Sequence, residues 1–217
     1  AMMPLKVKES WVANCRADTI AKVKMYVDIK KYKKLSAQGD LIFTKGGIRG
    51  PVVLDFSREI TPLLSKFDEV PVLCNLTKGM NEEQIREHFK NVLAQNPHQS
   101  TLDLLLTLIP ESVALELCKL SNVEPTLTLS KQKGIDRDKL YRLLVWTPLT
   151  INGHDGFKMA MITRGGIHLK EIDPYTMQSK KLQNLYFCGE VMNIDGPCGG
   201  HKPQWIVASG DFDGKFG

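Results

Sequence analysis

The chain has 217 residues, 42% of them hydrophobic, and a net charge of +5, enough for one large or two small packed domains. It holds no charge-free apolar run long enough to span a bilayer and no signal-peptide-like start, so a cytoplasmic location is expected; Ala1-Met2 ahead of Met3 is set aside as a cloning remnant. The five cysteines, Cys15, Cys74, Cys118, Cys188 and Cys198, are odd in number and scattered, which argues against a disulfide framework and for reduced thiols.

In chain order, Val7 to Val12, Thr19 to Ile29 and Lys33 to Thr44 are β-rich, with a polar turn expected around Gln38-Gly39-Asp40. An antiparallel meander or small barrel follows. Lys22, Lys24, Lys30, Lys31, Lys33 and Lys34 are interleaved with Tyr26 and Tyr32, a composition that suits nucleic acid. The same alternation with Val23, Met25 and Val27 also suits a sheet with one wet face, with Lys30 to Lys34 near a hairpin turn, and nucleic acid is not the expected partner. Gly46-Gly47-Ile48-Arg49-Gly50-Pro51 then precedes a helix predicted from Val52 to about Ile60, with the proline in its first turn. Such a start can face an anion or a flat aromatic ligand, or be a tight structural turn.

After a short strand, Val70 to Leu76, the pattern becomes helical. Glu82 to Ala94 places Ile85, Phe89, Val92 and Leu93 on one face, with acidic residues in the first turn. Thr101 to Leu108, Glu111 to Leu120 and Asp136 to Val145 continue as helices. A helix-turn-helix reading lacks a fixed short turn and a strongly basic recognition helix, so a packing subdomain is preferred. From Thr147 the β character returns, as Leu149 to Ile151, a turn at Asn152-Gly153-His154-Asp155-Gly156, and Phe157 to Thr163. Arg164-Gly165-Gly166-Ile167 follows, and then Asn184-Leu-Tyr-Phe-Cys188, which reads as a buried strand running into Gly189-Glu190. Cys198 and His201 have the spacing of half a zinc site with no second pair nearby, so no metal is expected.

Thr163-Arg-Gly-Gly-Ile167, Asp173-Pro-Tyr-Thr-Met177-Gln-Ser-Lys180, Leu185-Tyr-Phe-Cys-Gly-Glu190 and Gly199-Gly200-x-x-x-Gln204-Trp205 occur in an order and spacing that resemble the HI0933-like, or BaiN-like, family of bacterial NAD(P)/FAD-dependent oxidoreductases. Leu41-Ile-Phe-Thr44, Gly46 to Pro51 and Asn152 to Phe157 resemble that family's interior motifs, so the likeness covers nearly the whole chain.

The resemblance implies an α+β architecture: an antiparallel β-barrel-like domain at 3–80 and 147–162, a helical subdomain inserted at 81–146, and the C-terminal part of a Rossmann-like FAD-binding domain at 163–217. It implies flavin contacts from Thr163, Gly165, Gly166, Gly189, Glu190, Gly199, Gly200 and Gln204, with NAD(P)H as a possible electron donor. Glu190 would accept hydrogen bonds from polyol hydroxyls, and the glycines would let backbone approach the cofactor. The family's first FAD-binding segment, a glycine-rich turn with its dinucleotide fingerprint, has no counterpart in these residues. The expectation is therefore a fragment that lacks tight FAD binding alone, its partner being the missing half of the FAD domain, whether truncated away or on a separate chain. Two departures add cations: His201-Lys202-Pro203 stands where the family usually has Tyr-Asn-Leu, and Arg49 where it has Ser. No protein catalytic residue stands out; His154 and His168 are proton-transfer candidates only by their titration range. The rival reading is a non-enzymatic β-barrel module that binds protein or nucleic acid.

Overall fold

The structure is a computed structural model that describes residues 2–156 and 165–193. Six strands, β1 (Leu5–Val7), β2 (Thr19–Val27), β3 (Ser36–Thr44), β4 (Gly47–Arg49), β5 (Val70–Asn75) and β6 (Thr147–His154), close into a barrel in the order β1-β4-β3-β2-β5-β6. Every pairing is antiparallel. Closure satisfies the backbone groups that an open sheet would leave at its edges. The seam depends on β6, which reaches β5 through Val70↔Ile151 and β1 through Leu5↔His154.

Alternation sets which side chains enter the barrel. On β2, Val23, Met25 and Val27 are buried while Lys24 and Tyr26 face outward and are half-exposed. Helix α1 (Pro51–Leu64) packs against β2, β3, β4, β5 and β6, burying Val52, Val53, Phe56, Ile60 and Leu63. Pro51 sits in its first turn, where the donor it lacks has no intrahelical partner.

Between β5 and β6 the chain makes α2 (Glu82–Gln95), α3 (Thr101–Leu106), α4 (Glu111–Ser121) and α5 (Gly134–Val145). Capping boxes start two of them: Asn81 with Gln84 for α2 and Ser100 with Asp103 for α3. Asn122, left-handed at φ 61°, ends α4. Ile85, Phe89, Leu104, Val113, Leu117, Leu140 and Leu144 join the barrel side chains in one continuous buried cluster. Each fully buried aliphatic or aromatic side chain of this kind stabilises by about 1.5–3 kcal/mol. Polar contacts fix the docking: Ser112 bonds Asp18, and the Asn14 side-chain amide donates to Glu116 at 3.1 Å. Among the described residues no helix is long and apolar enough to cross a membrane.

Several expectations need correction. The first strand ends at Val7, and Ser10–Cys15 is a 3-10 turn that buries Val12 and Cys15 and sets Trp11 against Phe43 at 6.0 Å. No turn forms at Gln38-Gly39-Asp40; β3 runs straight through, and the chain reverses earlier, at the 3-10 turn Lys30–Tyr32. Gly39 is there because a Cβ would lie 3.0 Å from the Val52 nitrogen of α1. Asp40 serves a bulge in β2: the register slips between Ile20 and Val23, Lys22 adopts φ 55°, and its N–H donates to Asp40 Oδ1 at 3.0 Å. α1 outruns the predicted Ile60 because Leu63 extends its buried stripe by a turn, past Pro62. Asn152 and Gly153 lie within β6, Gly153 opposite Lys6, and positive φ falls on Gly156 at 78°. Met2 and Met3, the former set aside from the fold, are buried, and the Met3 N–H donates to Ser57 Oγ at 3.1 Å. The strand expected at Phe157 to Thr163 lies outside the described residues.

Residues 165–193 are built differently. They contain isolated bridges, Ile167↔Met192 parallel and Ile172↔Ser179 and Gln178↔Tyr186 antiparallel, and 3-10 turns at Leu169–Glu171 and Gly189–Val191. Ile172, Met177 and Met192 form a small core of their own, with Ile167 and Phe187 packed on it. The buried strand expected at Asn184 to Cys188 is not formed. Leu185 is 38% and Tyr186 43% exposed, since among the described residues only the Gln178 bridge pairs with this stretch.

Candidate functional site

Of the residues expected around a cofactor, Thr163, Gly199, Gly200 and Gln204 lie outside the described residues, as do Cys198, His201 and Lys202. The other four come together. Ile167 N–H donates to Val191 O at 2.9 Å and Asn193 N–H to Ile167 O at 2.9 Å, so Gly165-Gly166-Ile167 runs beside the turn that carries Gly189 and Glu190. The two glycines have separate jobs. Gly166, at φ 130°, allows that approach, since a Cβ would fall 2.3 Å from Val191 O. Gly165, at φ 110°, would place a Cβ with nothing within 4 Å among the described residues. The result is a backbone ledge, open over Gly165, next to the exposed Glu190. A flat ring can lie on such a ledge, and a neighbouring carboxylate can accept hydrogen bonds from hydroxyls.

Met192, 1% exposed, anchors the turn to Ile172 and Met177. The Asp173-Pro174-Tyr175-Thr176 motif has a local structural explanation: Asp173 Oδ1 accepts the N–H groups of Tyr175 at 2.9 Å and Thr176 at 3.0 Å. Those bonds hold its carboxyl below the usual carboxylate range.

The glycine motif at 46–51 is likewise accounted for by packing. A Cβ on Gly47 would lie 2.1 Å from Leu5 O, and one on Gly50, at φ 105°, 2.5 Å from Asp40 O. The Gly50 carbonyl takes the Val53 and Leu54 N–H groups, both at 3.0 Å, and so begins α1. Arg49 is exposed at the end of β4. His154 Nδ1 accepts the Gly156 N–H at 3.1 Å, and His168 caps the 3-10 turn after Ile167. Among the described residues neither is hydrogen-bonded to a second proton-transfer side chain. Among the described residues no group of three or more His, Cys, Asp or Glu could hold a metal. The buried thiols are poor nucleophiles: burial pushes Cys15 and Cys118 up to about 11 and Cys74 to about 12.

A second feature escaped sequence reasoning. α5 leans over the outer face of the barrel and encloses a groove of about 740 Å³. Its floor is a row across three strands, Tyr26↔Leu73↔Pro148, and its wall carries Leu143 and Trp146. The signals were present but separate: a tryptophan at the end of a helix, and a tyrosine among lysines on a strand. Only the fold joins them.

Comparison with known proteins bears on both features. A family model, described as HI0933-like protein barrel and H2TH domain, matches residues 1–162. The chain is 28% identical to the 3-dehydro-bile acid delta(4,6)-reductase of Clostridium scindens over 215 residues, 99% of this chain and 52% of that protein. It is 31% identical over 170 residues to the ribosomal RNA dihydrouridine synthase of Escherichia coli, covering 78% of this chain and 40% of the relative. The enzyme of the same name from Haemophilus influenzae is 29% identical over 174 residues, 80% of this chain and 41% of the relative. The chain thus spans about half the length, or less, of the curated relatives it matches.

Proposed function

Because the chain belongs to the HI0933-like family through its barrel and H2TH domain, we propose that it works as the substrate-facing part of an FAD-dependent oxidoreductase that reduces an unsaturated ring. The observation that carries this reading is the likeness to a reductase over 99% of the chain, which takes in both the barrel and the Gly165–Glu190 ledge. In this reading, residues 3–80 with 147–162 are the barrel domain, 81–146 its helical insert, and 163–217 part of a Rossmann-like FAD domain.

One observation supports a flavin on the ledge: among the described residues the space above Gly165 is clear, where a side chain would obstruct a flat ring. Gly165 and Gly166 would lie beside the ring, and Glu190 would accept hydrogen bonds from polyol hydroxyls. Thr163, Gly199, Gly200 and Gln204 are proposed to complete the contact. When bound, FAD would supply the hydride, taken from NADH or NADPH. The chain's own contribution is to orient the substrate and exclude water.

The sequence has no Gly-x-Gly-x-x-Gly pattern of the dinucleotide-binding kind. FAD binding by this chain alone is therefore expected to be weak, since the pyrophosphate lacks its usual backbone donors. Two measurements test the proposal. Protein produced with whatever coding sequence flanks this chain in its gene should co-purify with flavin that NADH or NADPH bleaches; a colourless product that takes up no FAD would refute the assignment. Titration of FAD into the present chain should show no tight complex. Sub-micromolar affinity would overturn the view that the pyrophosphate is held by residues outside it.

A further inference from the structure

We infer that the groove between α5 and the outer wall of the barrel is a binding site for a single-stranded nucleic acid, with a base stacked on Trp146 and the phosphates held by Lys33, Lys139 and Arg142. None of these residues belongs to the cofactor ledge, and the inference does not depend on flavin being bound.

The geometry begins with helical spacing. Lys139, Arg142, Leu143 and Trp146 recur at intervals of three and four, so α5 presents them on one face. The Trp146 N–H, donating to Arg142 O at 2.7 Å, keeps the tryptophan on that face as the helix ends. Opposite, outward-facing Tyr26 lies 5.7 Å from Trp146, ring to ring, at an interplanar angle of 56°. Trp146 is nonetheless 42% exposed, an unusual position for the largest apolar side chain next to open space. Leu73 and Pro148 complete a floor that is apolar apart from the Tyr26 hydroxyl, so it offers little to discriminate between bases.

The rim is cationic. Lys139 and Arg142 are exposed and form no ion pair within 4 Å among the described residues, while Lys33 reaches Asp28, the one carboxylate lining the groove, only at 3.9 Å. Lys30, Lys31 and Lys34 are exposed on the same connection as Lys33, so positive charge continues away from the groove along one side. A small monoanion would engage one cation. A row of cations beside an aromatic pair matches a repeating anion with repeating flat rings, which is the chemistry of a single strand. A groove of about 740 Å³, open on one side, accepts a nucleotide with the strand passing out along the lysines.

The test is fluorescence anisotropy with a dye-labelled single-stranded oligouridylate of about ten nucleotides, a length within the usual range of such sites. With about three phosphates neutralised, affinity should fall about 20-fold between roughly 50 and 200 mM KCl. Trp146→Ala should weaken binding about 5- to 100-fold, the range for loss of one stacked base, while Trp146→Phe retains most of it. Lys139→Gln with Arg142→Gln should flatten the salt dependence by about 1.4 in the log–log slope. Thermal melting of each variant, which a purely structural role for Trp146 would lower, should stay at the parent value. Equal RNA affinity in the parent, Trp146→Ala and the double glutamine variant would overturn the inference. So would an oligonucleotide that fails to bind while a steroid acid such as cholate binds with the same dependence on Trp146. Failure of either kind leaves the flavin reading untouched, because the measurement contains no flavin.

Discussion

Residues 2–156 and residues 165–193 solve the same problem of burying apolar surface on very different scales. In the first region a closed ladder of strands and five helices share one core, and β6, the last strand to arrive, locks both barrel seams. In the second, Ile172, Met177 and Met192 are the whole buried core, and the backbone is held by isolated bridges and 3-10 turns. Unfolding a small part of the first exposes much of it, whereas the second can open locally. The difference teaches where to look for function: rigid walls come from the first region, and the adaptable ledge from the second.

The sharpest separation should appear in thiol chemistry. Cys15, Cys74 and Cys118 are buried, and Cys188 is exposed on the turn before Gly189. In a Cys198→Ser background, a thiol reagent should label Cys188 at once. The three buried thiols should react only through opening of the core, which for a domain of this kind costs about 5 kcal/mol or more. Their raised values also carry a sign. Stability from keeping them protonated is full below their ordinary value of 9.0 and is lost as pH rises through about 11 for Cys15 and Cys118 and about 12 for Cys74, so alkaline unfolding should set in over that window. Slow labelling of Cys188, or fast labelling of Cys74, would erase the contrast.

A cavity placed in each core is the next test. Phe56→Ala, at a side chain wholly buried between α1 and the barrel, should cost about 3–5 kcal/mol and lower the melting temperature of the whole first region. Met192→Ala should loosen the ledge and leave that transition where it was. A common shift in both variants would mean that the two regions unfold as one. Smaller, at about 1–3 kcal/mol, is Gly47→Ala, whose new Cβ must displace the Leu5 carbonyl of β1 from 2.1 Å. Gly165→Ala meets no described atom within 4 Å and should leave the main melting transition alone.

What could be read from the residues follows the same division. α2, α4 and α5 were legible because Ile85 and Phe89, Val113 and Leu117, and Leu140 and Leu144 repeat at helical spacing, with a capping box opening α2 and left-handed Asn122 closing α4. β2 and β5 were legible from alternation. Gly39 and Asp40 misled because their turn-like chemistry answers partners remote in sequence, Val52 and the bulged Lys22. Leu185 to Cys188 reads as a strand because its residues favour β structure, yet a buried strand needs neighbours, and only Gln178 bridges it here. At the ledge, the glycine pair and Gly189-Glu190 were visible as motifs, but that Gly166 faces Val191 and Gly165 faces no described atom is a fact of three dimensions. The groove was least legible, since Tyr26 and Trp146 meet only when β2, β5 and β6 lie side by side.

The finest comparison uses two aspartates with the same chemistry in the two regions. Asp103 Oδ2 accepts the N–H of Ser100 at 3.0 Å and its hydroxyl at 2.7 Å, closing the cap of α3; Asp173 accepts two backbone N–H groups in its turn. Both carboxyls are held below their ordinary value of 3.8 by these bonds, so their stabilisation is present above about pH 4 and lost as pH falls through the folded values. Ser100→Ala removes the cap oxygen and should cost about 1 kcal/mol. Because Leu104 and Leu105 of α3 lie in the main core, that loss should appear as a drop of about 2–4 °C in the main melting transition. Asp173→Ala frees the amides of Tyr175 and Thr176, which should speed their hydrogen exchange while the main transition stays fixed. If Asp173→Ala lowers that transition as much as Ser100→Ala does, the ledge is coupled to the barrel core, and substrate bound to the first region could then reorganise the ledge directly.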